Sequence, residues 1–293
     1  MKFFARICLL AAVVALAINI PTVGGLSAVN DTQVASYNLP VVMYHGILKS
    51  RTGTYVTSPA QLEADFKAIA DMGYTPVFLS EVAAFVDGNG TLPQKPVVIT
   101  FDDGLYNNLY YALPLAKKYN FKIVVNVVTS FCAYATNTEG EANNANYSYL
   151  TLPQLKELTD SGLVEIGNHT HAMHKFRPRY GIDRKNGEDD IAYAAALRAD
   201  FEKAQNLIAA TGAPKPVTFA YPFGKYTDIG RETLKDMGFR VMLTCNEGVS
   251  VVRQGEPDSL YALKRYNRSG NITTQEFVKK VFGKLENEGK EFK

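Results

Sequence analysis

The run Val97-Val98-Ile99-Thr100-Phe101-Asp102-Asp103-Gly104 joins five β-favouring residues to two adjacent carboxylates and a glycine. A continuous apolar run of this kind reads as a strand buried on both faces, the habit of parallel sheets covered by helices. Asp102 and Asp103 then fall just past its C-terminal end, where parallel α/β sheets and barrels place their chemistry. Consecutive residues there point different ways, so one carboxylate can hold a metal while its neighbour accepts a proton. For these residues alone, an Asp-Asp-Gly turn that merely closes a strand is the competing reading.

On either side of this run, residues 41–44, 75–79, 122–128, 163–167, 217–221, 240–244 and 262–266 read as further strands. Helices fall between them. The first opens with the capping box Ser58-Pro59-Ala60-Gln61, proline at its first position, and carries Leu62, Phe66, Ile69 and Met72 on one face. A short helix is expected at 80–86, and one carrying Leu109, Leu113 and Ala116 that Pro114 bends. Others are expected at 151–159, 190–210 and 229–237, with a last one capped by Thr273-Thr274-Gln275-Glu276. Residues 134–149 read as a polar, Asn-rich loop and 175–189 as a charged insertion. The alternation predicts an α/β fold, a distorted (β/α) barrel of seven to eight parallel strands, with a single catalytic domain at 39–293.

With 46% hydrophobic and 20% charged residues, the 293-residue chain has the make-up of an ordinary globular protein. Lys2 and Arg6 account for the whole excess of 31 basic over 29 acidic residues, so the net charge of the rest implies no basic surface for nucleic acid. They precede an apolar run from Ile7 to Ile20, interrupted only by Asn19 and shorter than the roughly 20 residues of a spanning helix. Residues 1–28 therefore read as a secretory signal peptide or an N-terminal anchor, with Ala15-Leu16-Ala17 and Leu26-Ser27-Ala28 as alternative cleavage sites. Residues 29–38 read as a polar tether. Both readings of the N-terminus predict a secreted or cell-surface protein, and an anchor would add membrane association. Cys132 and Cys245 read as two buried thiols or, in an export compartment, as a disulfide.

The chain has four histidines, His45, His169, His171 and His174, and all lie at or just after predicted strand ends. Together with Asp102 and Asp103 they would converge on the C-terminal face of a barrel. Two imidazoles and one carboxylate make a mixed nitrogen–oxygen site with open positions, suited to zinc or a similar divalent ion.

These residues resemble the polysaccharide deacetylase family (carbohydrate esterase family 4, the NodB-homology domain), over roughly residues 38–285. Thr100-Phe101-Asp102-Asp103-Gly104 matches its first motif without a gap, which implies Asp102 as catalytic base and Asp103 as metal ligand. The second motif usually reads His-Ser/Thr-x-x-His. Here His169-Thr170 fits, Met173 stands at the expected histidine, and His174 comes one later. That wider spacing is similar to the extracellular poly-β-1,6-N-acetylglucosamine deacetylases and implies His169 and His174 as ligands, with His171 as the minor alternative. The third motif usually reads Arg-x-Pro-Tyr/Phe-Gly. Tyr221-Pro222-Phe223-Gly224 keeps its end, but Ala220 stands where the arginine that orients the base would be, and Arg265 is a candidate substitute.

By the same resemblance the Phe223 N–H contributes to an oxyanion hole. The family's late Leu-x-His motif is absent, and the early Tyr44-His45 pair of the exopolysaccharide branch implies His45 as the acid. Tyr106, Tyr221, Phe223 and Tyr266 are candidates to stack on sugar rings, although packing explains each of them singly. The function implied is metal-dependent hydrolysis of the N-acetyl group of N-acetylglucosamine in a cell-surface or extracellular polysaccharide, with zinc, nickel or cobalt as the ion. An O-acetyl esterase of the xylan type, or a decayed glycan-binding module, is the alternative. The Ala220 departure favours the decayed module, and the intact Asp pair opposes it.

Overall fold

The structure, a computed structural model, describes residues 34–291. The expected signal segment and residues 29–33 of the tether lie outside the described residues. Seven strands, β1 (Ser36–Tyr44), β2 (Pro96–Phe101), β3 (Ile123–Val127), β4 (Val164–Asn168), β5 (Thr218–Ala220), β6 (Val241–Leu243) and β7 (Val249–Arg253), form one curled sheet. Their order is β7-β1-β2-β3-β4-β5-β6. Strands β1 to β6 run parallel, as the alternating pattern predicts. Leu243 bridges Leu263, and Tyr266 pairs with Val42, so the segment between them leads from β6 back to β1 and curls the sheet into a distorted barrel.

Eight helices cover this sheet among the described residues: α1 (Pro59–Asp71), α2 (Leu79–Val86), α3 (Leu113–Tyr119), α4 (Thr129–Asn137), α5 (Leu152–Asp160), α6 (Asp190–Ala210), α7 (Asp228–Asp236) and α8 (Thr274–Glu291). Every residue of β2 is buried. Val97, Ile99 and Phe101 share a cluster with Leu62, Phe66 and Ile69 of α1 and Phe277 of α8. Val98 faces the other way, into a cluster with Val124, Val241 and the α2 side chains Val82 and Phe85. Each such side chain contributes roughly 2 kcal/mol by leaving water. The Ser58 capping box forms as expected, with Gln61 N–H donating to Ser58 Oγ at 3.1 Å and Ser58 N–H to Gln61 Oε1 at 3.0 Å.

Several local expectations change. Strand β7 is antiparallel to β1, and its Val252 pairs with Tyr37, which draws the last three residues of the expected tether into β1. The strand expected at 75–79 shrinks to Thr75–Pro76, because Leu79 already begins α2. Residues 134–137 of the expected loop belong to α4. Pro114 sits in the first turn of α3, after a widened π-helical turn at Asn108–Ala112. Proline lacks the N–H and crowds the carbonyl four residues back, and a wider turn relieves both.

One buried polar knot fixes the end of β1. Asp65 of α1 accepts from Arg268 Nε at 2.6 Å, from Tyr44 Oη at 3.0 Å and from Thr274 Oγ1 at 2.6 Å. Removing one partner from such a pair leaves a buried charge uncompensated, at a cost of about 3–5 kcal/mol. Tyr44 immediately precedes His45, so this knot also anchors the approach to the site.

Candidate active site

Parallel strands bring their C-terminal ends to one face, and here five of them deliver functional groups to it. β1 is followed by His45, β2 by Asp102 and Asp103, β4 by His169, β5 by the turn at 221–224, and β6 by Cys245. A cavity of about 800 Å³ on this face is lined by His45, Asp102, Asp103, His169, His174 and Phe223.

Asp103 adopts φ +73° and Gly104 φ +68°, two successive left-handed residues that turn the chain sharply at the strand end. A non-glycine residue held there stores about 1 kcal/mol or more, a cost met chiefly at functional sites. Asp103 Oδ1 lies 3.7 Å from His169 Nε2 and 3.4 Å from His174 Nε2. One ligand atom from each residue falls within 4.8 Å of the others. His169 Nδ1 lies 2.7 Å from the Ala220 carbonyl. A carbonyl only accepts, so Nδ1 carries the proton and Nε2 presents its lone pair to Asp103. Burial lowers His169 to about 3 and also lowers His174, so both rings are neutral and these contacts are not ion pairs. Burial, with the neighbouring Asp102 charge, pushes the Asp103 carboxyl up to about 6 against the pull of His45 and Arg265. Its buried Oδ1 has no hydrogen-bond partner. Two lone pairs and an unpartnered carboxylate oxygen facing one another fit a divalent cation.

Asp102 is almost fully buried, and its Oδ1 accepts from Asn126 Nδ2 at 2.7 Å and Arg265 Nη1 at 2.8 Å. Arg265 is completely buried and also donates from Nε to the Thr244 carbonyl at 2.8 Å. Burial raises the Asp102 carboxyl, but the charge of the Arg265 guanidinium outweighs it and holds the group well below the usual carboxylate range. No hydrogen bond reaches Asp102 Oδ2 among the described residues, so the two donors fix the carboxylate through one oxygen and leave the other available. The guanidinium that the third motif lacks at Ala220 thus arrives from residue 265. Asn126 completes the clamp, and Gly167 on the neighbouring strand makes room for it, since a Cβ there would lie 2.0 Å from Asn126 Oδ1.

The His45 ring lines the cavity and meets Tyr55 edge-on at 4.9 Å. Its Nδ1 is closed off and unpartnered. Nε2 has no partner either among the described residues but is not closed off, so it is the nitrogen open to the cavity. Phe223 takes φ +57° and Gly224 φ +69° in the turn after β5. Gly224 is required there, because a Cβ would approach Cys245 Cβ to 2.6 Å.

One expectation needs correction. Tyr221, expected beside the substrate, is fully buried, and its hydroxyl points to Met242 Sδ at 2.9 Å. Strand alternation turns it into the cluster of Phe219 and Leu234, away from the cavity. Arg265, the candidate substitute for the missing arginine, reaches Asp102 and does not line the cavity, so its position is that of a support for the base. His171, the alternative ligand, lies outside the cluster: its Nδ1 is 3.0 Å from Thr129 Oγ1 and its N–H donates to Asp200. Cys132 and Cys245 are both free thiols. Sequence reasoning passed over Asn126, although a lone amide inside the apolar run of β3 is an unusual residue to bury. It also passed over Tyr55, Phe176 and Tyr180, whose loops carry no periodic signal.

Comparison with known proteins identifies the family. The family model described as polysaccharide deacetylase matches residues 89–242. A poly-beta-1,6-N-acetyl-D-glucosamine N-deacetylase of Escherichia coli K12 is 24% identical over 237 residues, covering 75% of this chain and 34% of that protein. The chain therefore spans about a third of that relative's length. The Staphylococcus aureus MRSA252 protein of the same name is 26% identical over 198 residues, covering 66% of this chain and 62% of its own. Among solved structures, the Streptococcus pyogenes deacetylase PplD in complex with acetate superposes with a TM-score of 0.67 at 20% identity, covering 84% of this chain and 99% of that one, which supports the fold. A family match over more than half the chain makes this chain a member of the polysaccharide deacetylase family.

Proposed function

We propose that this chain hydrolyses the N-acetyl group of N-acetylglucosamine residues in an extracellular or cell-surface polysaccharide, releasing acetate, with poly-β-1,6-N-acetylglucosamine as the substrate class. The observation that carries the reading is the pairing of a clamped, ionised Asp102 with the Asp103–His169–His174 cluster in one cavity. Asp103, His169 and His174 would hold a divalent ion, zinc by their donor chemistry, with nickel or cobalt as alternatives. When bound, that ion supplies Lewis acidity, polarising the acetyl carbonyl and making water easier to deprotonate.

The chain's own residues supply the rest. Asp102 Oδ2 accepts the proton of the attacking water, because Asn126 and Arg265 occupy Oδ1 and keep the group ionised. By the family resemblance, the Phe223 N–H would donate to the oxygen that becomes negative as the carbonyl carbon turns tetrahedral. His45 Nε2 then delivers a proton to the departing nitrogen, since an amide anion is a very poor leaving group. The products are acetate and a free amine on the sugar.

The test is acetate release from poly-β-1,6-N-acetylglucosamine, chitooligosaccharides and peptidoglycan side by side, with metal analysis of the same sample. The expected result is release that is strongest on the β-1,6 polymer, stops on chelation and returns with added zinc. Release from none of the three by metal-loaded protein would overturn the proposal.

A further inference from the structure

We propose that Phe176 and Tyr180, stacked on Phe223, form an aromatic plate that holds a second pyranose ring of the glycan, next to the sugar whose acetyl group is cleaved. The inference rests on the glycan reading above and assigns a subsite to it. Phe176 is 70% exposed and Tyr180 39% exposed, yet both line the cavity that contains Asp102 and Asp103. Their ring centroids each lie 4.8 Å from that of Phe223, with planes within 23°, and 5.7 Å from one another. Because both rings stack on Phe223, the apolar surface they offer is the sides of Phe176 and Tyr180 turned away from it. The stack begins with Phe223, 4.6 Å from the His174 ring, so it leads away from the reacting centre as the next sugar of a chain would.

The plate is built and held. Arg179, almost fully buried, makes two hydrogen bonds to the Glu188 carboxylate, at 2.7 and 2.8 Å, and a third to the Asp183 carbonyl. Gly181 N–H closes the loop onto the Lys175 carbonyl at 2.9 Å. Gly181 takes φ +59°, and a Cβ there would sit 2.9 Å from the Pro222 carbonyl oxygen, so the loop rests directly on the turn that carries Phe223. A surface fixed in advance loses little freedom on binding.

The ligand chemistry follows from the mixture of groups. A pyranose ring has apolar C–H faces and a rim of hydroxyls, and the negative face of an aromatic ring attracts the C–H side. The same cavity offers polar partners for the rim in Arg51, Asn146 and Asn267.

The test uses the full chain with Asp102→Asn, shown to be folded by circular dichroism at the titration temperature and expected to bind without turnover, and a β-1,6-linked N-acetylglucosamine tetrasaccharide as the probe in titration calorimetry. Adding Phe176→Ala should weaken binding about tenfold, the weight of one ring stack, and Tyr180→Ala should weaken it in the same direction. Phe176→Tyr should restore it. With Asp102 intact, Phe176→Ala should shrink the kcat/KM advantage of the tetrasaccharide over the monosaccharide by a similar factor. Ile191→Ala, an exposed residue outside the cavity, should change neither. Unchanged tetrasaccharide affinity in both alanine variants, or no binding by the parent, would overturn the plate. So would a Phe176→Ala shift in sedimentation with unaltered glycan binding, which would make the rings a contact between copies. If the wild-type protein releases no acetate while tetrasaccharide binding still depends on Phe176, the hydrolytic reading fails and the plate stands.

Discussion

Replacing Arg265 by methionine tests how the base is held. Asp102 and Arg265 have side chains 2% and 0% exposed, and their hydrogen bond of 2.8 Å is made out of reach of water. Losing one partner of such a pair costs about 3–5 kcal/mol. That is a large part of the roughly 5–15 kcal/mol total of a typical domain. Asp102→Asn should cost a similar amount by stranding the guanidinium. The double variant leaves neither charge buried, so it should fall short of the sum by about 2 kcal/mol or more. The loss should also depend on pH. In the wild type the Asp102 carboxyl is depressed, with burial raising it and Arg265 prevailing. It therefore contributes stability that is present above the unfolded value of about 3.9 and lost as pH falls through the folded one. In Arg265→Met burial prevails, the carboxyl rises above its unfolded value, and ionising it costs stability as pH rises. The gap between the two proteins should accordingly widen from about pH 4.5 to pH 7. Urea unfolding of metal-free protein, followed by circular dichroism at both pH values, reads it. Equal gaps, or an additive cycle, would refute the reasoning.

Three further outcomes are expected. Asp103→Asn should lose metal, whereas Asp102→Asn should keep it and lose turnover; equal metal loss by elemental analysis would refute that division. His174→Ala should lower metal affinity as severely as His169→Ala, and His171→Ala should do so far less, because only the first two present nitrogen to Asp103; competition with a chromogenic chelator measures all three. His45→Ala should retain fold and metal yet lose at least about a hundredfold in amide hydrolysis, the lower end of what a general acid contributes. It should lose much less on an activated aryl acetate, whose leaving group needs no proton, and equal losses on the two substrates would reduce His45 to a packing residue.

What the sequence determined by itself was local or periodic. The buried run from Val97 into Asp102-Asp103, the Ser58–Gln61 cap and the spacing of His169 and His174 each depend on residues within about one turn or one strand. Hydrophobic periodicity and capping chemistry therefore expose them. The parallel barrel also followed, because strands that alternate with helices have few other ways to bury both faces. What tertiary structure decided was every partnership across long stretches of chain. Arg265 meets Asp102 across 163 positions, Asn126 reaches the same oxygen from the next strand, and β7 pairs with the beginning of β1. No periodicity records which distant cation neutralises a buried carboxylate, since any arginine long enough and rightly placed would serve. Tyr221 shows the same limit on a smaller scale. Its place beside a motif is visible in the chain, but the pleat of β5 and the packing around Met242 turn its hydroxyl into the core.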